Sequence, residues 1–486
     1  MKKPLYCLIL ILFIIFPFSF YLIYSPVDLP QNQTLRSSYD AYDYIGLGND
    51  IDREGLTGDN ITIAVLDTGI REDHAVFNTF GNWEDKITYY DYSINDTSTS
   101  PDDVGGHGTA VTSILGGNSL SYTGVAPNIN ILAMKIFFND GGEIISNINV
   151  IESAINWIIK NKNKYSIRVA SMSLGLEFGA EESAILYINN IVEKLTQHNI
   201  LVVAAAGNSG ENGYGSIEAP SSAKSVLAVG GVDYQGNMYS QSSQGPTIEN
   251  VIKPDVCAPA IGIYAASSAG LFTYLNITGT SAAVPFVSGL SALMIEKQGT
   301  ISALQLKNVI SLTSYRTIYP RTLKDNIQGW GIIQGYAALN ALDTPQIITQ
   351  ESSFQFTLND TNPVYCLPIK LSDINQYFFQ LNSLNTAEAE IYLFEVNPDE
   401  NGNPILITDS ISAFDSFDKT NRISVFNSAE KNYFLVVKLI HGTGSGLFSV
   451  TLTFDLRIMV FLLFVGINII SLAFIGFMVR NYIKVR

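Results

Sequence analysis

The chain has 486 residues, 47% of them hydrophobic, and a formal net charge of −16. That length exceeds one small domain and predicts two or three units with a sizeable core. The acidic balance excludes nucleic acid as a partner, because phosphate binding needs clustered Lys and Arg, and it fits a body exposed to an aqueous compartment.

In chain order, the first element follows Lys2 and Lys3. Leu5 to Tyr24 is almost wholly apolar, so residues 1–25 read as a secretion signal or as an uncleaved signal anchor. From Asn60 onward apolar strands alternate with helices. "ITIAVLD" (61–67), "INILAMKIFF" (129–138), "IRVASMSL" (167–174), "ILVVAAA" (200–206) and "SVLAVGG" (225–231) read as buried strands. Helices are predicted over 108–117, 146–162, 181–198, 282–297 and 303–312, the second with Ile148, Ile151, Ile155 and Ile159 on one face. This alternation predicts an α/β unit, a mostly parallel sheet with helices on both faces, its site at the carboxyl ends of the strands.

The character changes after about residue 345. "SSFQFTL", "YFFQLNS", "AEIYLFEV", "RISVFNS", "YFLVVKLI" and "LFSVTLTF" are short, aromatic and β-branched, with Asn, Asp and Gly turns between them. They predict a small antiparallel β-sandwich within 350–455. The last long element, Ile458 to Val479, has only Asn468 and Ser471 as polar residues. At about 1.5 Å per residue its 22 residues reach roughly 33 Å, enough to cross a bilayer as a C-terminal transmembrane helix. Arg480, Lys484 and Arg486 then place the tail, 480–486, in the cytoplasm and the body outside, giving a cell-membrane protein with its folded units extracellular.

The cysteines are Cys7, Cys257 and Cys366. Only Cys257 and Cys366 could pair within the folded body, and both read better as buried apolar thiols. No Cys-x-x-Cys spacing suggests a metal or redox centre.

Three positions carry candidate chemistry: Asp67 at the end of a strand in "VLDTGI", His107 at the start of a helix in "GGHGT", and Ser281 at the start of another in "GTSAAVPFVSG". Acyl transfer near neutral pH needs an attacking hydroxyl, a base and an acid that orients the base. Ser281, His107 and Asp67 can fill those roles, in a known triad order. Gly279 allows a tight turn into the helix of Ser281, whose free N–H groups favour developing negative charge. Asn208 in "AAAGNSG" offers a side-chain amide as second oxyanion donor, although Asn-Ser-Gly alone is also an ordinary turn.

"VLDTGI", "GHGT", "SMSLG", "AAGNSG" and "GTSAAVPFVSG" together resemble the signature segments of the subtilisin-like serine proteases, as does "KPDVCAPA" (253–260). The resemblance runs from about 55 to 342 and implies a peptidase domain over 38–343. It implies Asp67 orienting, His107 as base and then acid, Ser281 as nucleophile and Asn208 in the oxyanion hole. It further implies that Ser173, Leu174 and Gly175 pair with an extended polypeptide substrate, and that Ala204 to Gly207, including Ala205 and Ala206, wall the pocket for the residue before the cut. Ala219-Pro220 matches a position often cis in the family. Where the family commonly has Ala-Pro-His after the serine, this chain has Val284, Pro285 and Phe286. The C-terminal unit resembles pre-peptidase-type β-domains of secreted proteases, which implies either substrate or glycan binding or a spacer or stabiliser, the second being the favoured reading.

No cofactor is expected for the chemistry. Structural calcium is possible, with "DYSINDTSTSPDD" (91–103) as one candidate segment and a solvated acidic loop as its other reading. His74 reads as structural, and His198 and His441 as surface residues. Glu143 lies near a segment that borders the cleft in relatives, and one carboxylate alone sets no preference for basic substrates. The alternative function is an inactive relative that binds polypeptide or glycan, which loss of a triad residue would favour.

Overall fold

The computed structural model describes residues 38–48, 54–77, 86–92, 102–317, 324–349, 351–372, 375–383, 388–409, 422–440 and 446–454. The first apolar run and residues 458–479 lie outside the described residues. Among those described, no helix is long and apolar enough to cross a membrane.

Seven strands form the central sheet: β1 (Thr62–Asp67), β2 (Ile87–Asp91), β3 (Asn130–Lys135), β4 (Ile167–Met172), β5 (Leu201–Ala205), β6 (Leu227–Val232) and β7 (Val256–Pro259). Their spatial order is β7-β6-β5-β4-β1-β3-β2, and every adjacent pair is parallel. The two strands without a sequence expectation, β2 and β7, are the edges. Being short and half-exposed or Pro-containing, they lack the long apolar run that marks a central strand.

Seven helices complete the described α elements: α1 (Ser38–Tyr44), α2 (His107–Gly116), α3 (Ile148–Tyr165), α4 (Glu182–Gln197), α5 (Thr280–Lys297), α6 (Ala303–Leu312) and α7 (Gly335–Asn340). Strand side chains alternate between two apolar layers, as the pleat requires. Ala64, Leu66, Leu132, Met134, Ala170 and Met172 pack with α3 and α4, whereas Ile63, Val65, Ile131, Ala133, Val169 and Val203 pack with α2 and α5. Helix α3 starts on a cap from the Asn147 side chain to Val150 N and ends with Lys162 and Lys164 in its last turn, which suits the helix dipole. Helix α5 runs through the middle of its layer, and almost all of it is buried. Phe286, at the position where the family commonly has histidine, is fully buried and meets the Tyr42 ring edge-on at 5.7 Å.

The C-terminal region forms two packed sheets. One orders Gln346–Ile348, Val364–Leu371, Lys431–Leu439, Ala389–Glu395 and Leu406–Asp409; the other orders Ser352–Leu358, Gly446–Phe454, Asn375–Ser383 and Arg422–Asn427. All pairings are antiparallel except that of Gln346–Ile348 with Val364–Leu371. Ile369, Phe379, Ile391, Leu435 and Leu452 share the core between the sheets. This unit rests on the first: Trp330 meets Phe394 edge-on at 6.3 Å, and Asn308 Nδ2 donates to Val396 O at 3.0 Å. Cys257 and Cys366 are both free and buried, and burial raises both thiols far above their ordinary range, so they act as small apolar groups.

Candidate active site

Asp67 is the last residue of β1, at the carboxyl end of the sheet and next to the end of β4. It is 2% exposed. Its Oδ1 accepts from Thr68 N at 2.8 Å and lies 2.8 Å from His107 Nδ1. With Nδ1 donating to the carboxylate, Nε2 is left as the acceptor of a neutral imidazole. Burial opposes the imidazolium, but the charge and hydrogen bond of Asp67, with the charge of Asp103, outweigh it and raise the His107 pKa above its ordinary value. Asp67 Oδ2 is buried and accepts no hydrogen bond among the described residues.

His107 stands where α2 begins, and the start of that helix is built around Asp103. Asp103 Oδ1 accepts from Gly106 N at 2.7 Å, and Oδ2 accepts from Thr109 N at 2.8 Å and Thr109 Oγ1 at 2.5 Å. These bonds satisfy N–H groups that a helix start leaves open. Thr68 Oγ1 donates to Asp103 Oδ1 at 2.6 Å and accepts from Gly108 N at 2.9 Å, tying the end of β1 to the start of α2. Gly106 has φ of 75°, which favours glycine. A Cβ on Gly108 would collide with the Gly69 carbonyl and sit 3.2 Å from Asp67 Oδ1, so the closeness of β1 and α2 explains that glycine.

Ser281 lies in the first turn of α5, after Gly279 at φ of 142°. Its hydroxyl donates to Ser173 O at 3.2 Å, and Ser173 Oγ donates back to Ser281 O at 3.0 Å. The second bond has a cause in the sequence. Pro285, four residues on, has no N–H to give to the Ser281 carbonyl, and the Ser173 hydroxyl supplies the missing donor. Pro285 therefore sits in the second turn of α5, one turn later than a helix-opening proline. Asn208 follows β5, and its Oδ1 accepts from Thr280 N at 2.9 Å and Thr280 Oγ1 at 3.1 Å. That engages the carbonyl end of the amide, and among the described residues nothing accepts from Nδ2. Asp67, His107, Asn208 and Ser281 are thus gathered at the carboxyl ends of β1, β4 and β5. The resting Ser281 hydroxyl points to Ser173 and not to His107.

The sequence matches the Subtilase family over residues 58–331, more than half of the chain. The chain belongs to the subtilase family. It is 33% identical to Subtilisin DY of Bacillus licheniformis over 267 residues, which cover 54% of this chain and 87% of that one. It is 32% identical to Subtilisin BL of Lederbergia lenta over 286 residues, 58% of this chain and 92% of that one. A solved cold adapted subtilisin-like serine proteinase matches with 27% identity and a TM-score of 0.45, covering 56% of this chain and 89% of that chain. Subtilases are serine endopeptidases and need no cofactor for the cleavage itself.

The other expected subtilase positions flank Ser281. Ser173, Leu174 and Gly175 continue β4, and Ala205, Ala206 and Gly207 end β5 and continue it. Gly175 makes no backbone hydrogen bond to another described residue, and Leu176 N donates to Ala219 O at 2.8 Å. The Ala219-Pro220 peptide is cis. His74 is fully buried, its Nε2 donating to Thr273 O at 2.9 Å and its Nδ1 accepting from Val76 N at 3.1 Å, a structural role. His198 is exposed. His441 lies outside the described residues. Glu143 is exposed on the hairpin Phe138–Asp140/Glu143–Ile145, whose Ile144 borders Gly105 beside the His107 loop.

The described ends of the candidate calcium segment are otherwise engaged. Asp91 pairs with Lys135 at 3.2 Å, and Asp103 caps α2. Among the described residues no three His, Cys, Asp or Glu side chains converge as a metal site. Residues 93–101 of that segment lie outside the described residues.

Three contributors escaped the sequence reading: Asp103, Thr68 and Glu218. Asp103 carried a usable signal, an acidic side chain just before a helix start. Thr68 had none beyond its place beside Asp67. Glu218 is 7% exposed and accepts on Oε1 from Asn208 N at 3.2 Å and Ser209 Oγ at 2.8 Å. Nothing local in "SIEAP" places it there.

Proposed function

We propose that the chain is a membrane-anchored, extracytoplasmic serine endopeptidase that hydrolyses polypeptides through Asp67, His107 and Ser281 and an acyl-enzyme. The observation that carries this reading is the buried 2.8 Å bond from His107 Nδ1 to Asp67 Oδ1, set beside a serine in the first turn of α5.

The chemistry follows from the placement. The Ser281 hydroxyl turns from the Ser173 carbonyl to His107 Nε2, gives up its proton and attacks the substrate carbonyl carbon. Asp67 holds the tautomer and stabilises the imidazolium. The oxyanion receives hydrogen bonds from the Ser281 N–H and Asn208 Nδ2, a reading supported by the hold of Thr280 on the Asn208 carbonyl oxygen. His107 then passes its proton to the leaving amine, whose bond to the carbonyl carbon breaks. Water, deprotonated by His107, attacks the acyl-enzyme; the imidazolium returns that proton to Ser281 Oγ, which leaves.

The unpaired backbone of Gly175 suits an added substrate strand, a mode that reads main chain before side chains. The membrane anchor and the outward orientation rest on residues 458–479 and the flanking basic residues. The C-terminal sandwich acts as a spacer that holds the catalytic unit away from the bilayer.

A fluorophosphonate probe on the full-length chain in detergent, beside Ser281→Ala, tests the chemistry. Labelling of wild type alone, on the peptide holding Ser281, is the expected result; an unlabelled, folded wild type would overturn it. Alkaline extraction of membranes, with and without residues 456–486, tests the anchor. Release of the full chain would refute it.

A further inference from the structure

Glu218 has a place in this site that the chemistry above does not use. Its carboxyl lies between the two segments expected to wall the pocket for the side chain before the cut. Two glycines make room for it: a Cβ on Gly175 would collide with Glu218 Oε2, and a Cβ on Gly207 would lie 2.6 Å from Oε1. The Glu218 backbone locks the same two walls, since its N–H donates to Ala206 O at 3.0 Å and the next residue, Ala219, accepts from Leu176 N at 2.8 Å. Asn208 links this carboxyl directly to the reaction centre. Its backbone N–H binds Glu218 Oε1 at 3.2 Å while its side chain binds Thr280 N at 2.9 Å, one residue from Ser281.

The carboxyl is incompletely satisfied. Both of its hydrogen bonds go to Oε1, and among the described residues no Lys, Arg or His pairs with it. The charged neighbour that acts on it is another carboxylate, Glu177, just past Gly175. Keeping such a buried carboxyl ionised, with a second one nearby and no cation, is costly, so it either holds its proton or takes a cation from outside.

Resting on the peptidase reading, we propose that Glu218 is the floor of the pocket for the residue whose carbonyl is cut, and that this pocket selects a basic side chain, Lys or Arg. The ammonium or guanidinium pairs with Oε2, the oxygen that packs against Gly175 and accepts no hydrogen bond among the described residues. Glu177 adds attraction at the rim. In the free enzyme burial pushes the Glu218 carboxyl up to about 7, against the pull of Ser209 Oγ and Asn208 N–H and with help from the Glu177 charge. A cation in the pocket favours the ionised form.

The test compares kcat/KM for peptides differing only at that residue, Lys or Arg against Leu, Phe and Gln, with full-length wild type and Glu218→Gln. Wild type is expected to favour the basic peptides. In E218Q the basic-to-neutral ratio is expected to fall by about 30-fold or more, the usual cost of removing one partner of a buried charge pair. In wild type the same ratio is expected to rise from pH 6 to pH 8 as Glu218 ionises, while the titration of His107 cancels between the two substrates. Wild type that labels with fluorophosphonate yet prefers Leu, Phe or Gln overturns this proposal and leaves the peptidase reading standing. Failure of wild type to label removes both. If E218Q does not fold, the wild-type preference and its pH trend decide the question.

Discussion

Ser173 and Ser281 hold each other by two reciprocal hydrogen bonds, Ser281 Oγ to Ser173 O at 3.2 Å and Ser173 Oγ to Ser281 O at 3.0 Å. The second bond replaces the helix bond that Pro285 cannot make. Ser173→Ala therefore strands a carbonyl in the first turn of α5, at a cost of about 1–3 kcal/mol. A shift of the nucleophile's turn is expected to lower kcat/KM by up to about a hundredfold. Urea unfolding and steady-state kinetics on the same sample check both; unchanged kinetics would mean that Ser173 does not position Ser281.

His107 must be neutral to act as base, and Asp67 and Asp103 raise its pKa above the ordinary imidazole value despite burial. The sign follows: activity is present above the raised pKa and is lost as pH falls through it. The acidic limb of kcat/KM for a neutral substrate should thus lie above about 6.5. Asp103→Asn, which removes one of the raising charges, should move that limb to lower pH. A limb at or below the ordinary value in wild type contradicts the assignment of His107 as base.

Asp103 also caps α2 through Gly106 N and Thr109 N. Asp103→Ala is expected to cost about 1–2 kcal/mol of stability, as loss of a helix cap does, whereas D103N keeps an acceptor and loses less. Thermal or urea unfolding of the two variants ranks them, and equal stabilities would exclude the capping role.

Asp255 is fully buried and gathers three lysines: Lys253 at 2.6 Å, Lys324 at 2.8 Å and Lys307 at 3.6 Å. Burial alone would raise its pKa, but the three ammonium groups hold it far below the ordinary carboxylate range. Ala228 N also donates to Asp255 Oδ2 at 2.9 Å, so the cluster joins β6, the segment that leads into β7, and α6. Asp255→Asn leaves buried cations unpaired and is expected to destabilise by about 3–5 kcal/mol. Because the folded pKa is depressed, this stabilisation is present above about pH 4 and is lost only as pH falls towards that lower value. Equal stability of wild type and D255N near pH 7 would refute the ion-pair account.

Much of this protein is legible in its residues. Alternating apolar strands and helices predict the parallel sheet, because strands covered on both faces must be apolar throughout. "VLDTGI", "GGHGT" and "GTSAAVP" mark the candidate residues Asp67, His107 and Ser281 locally, each at a strand end or helix start. Aromatic, β-branched runs with polar turns predict the C-terminal sheets. Gly279 before Ser281 marks the turn into α5, since glycine alone tolerates the backbone angle found there.

Contacts between distant residues were decided only by the tertiary structure. Ser173 reaches Ser281 across 108 positions, Thr68 reaches Asp103 across 35, and Glu218 enters the wall formed by Gly175 and Gly207. No local rule orients a side chain towards a partner brought near by parallel crossovers. The residue types, and hence the reaction, are local properties of the chain. The contacts around them, and the place of Glu218 between Gly175 and Gly207, exist only once β1, β4 and β5 lie side by side.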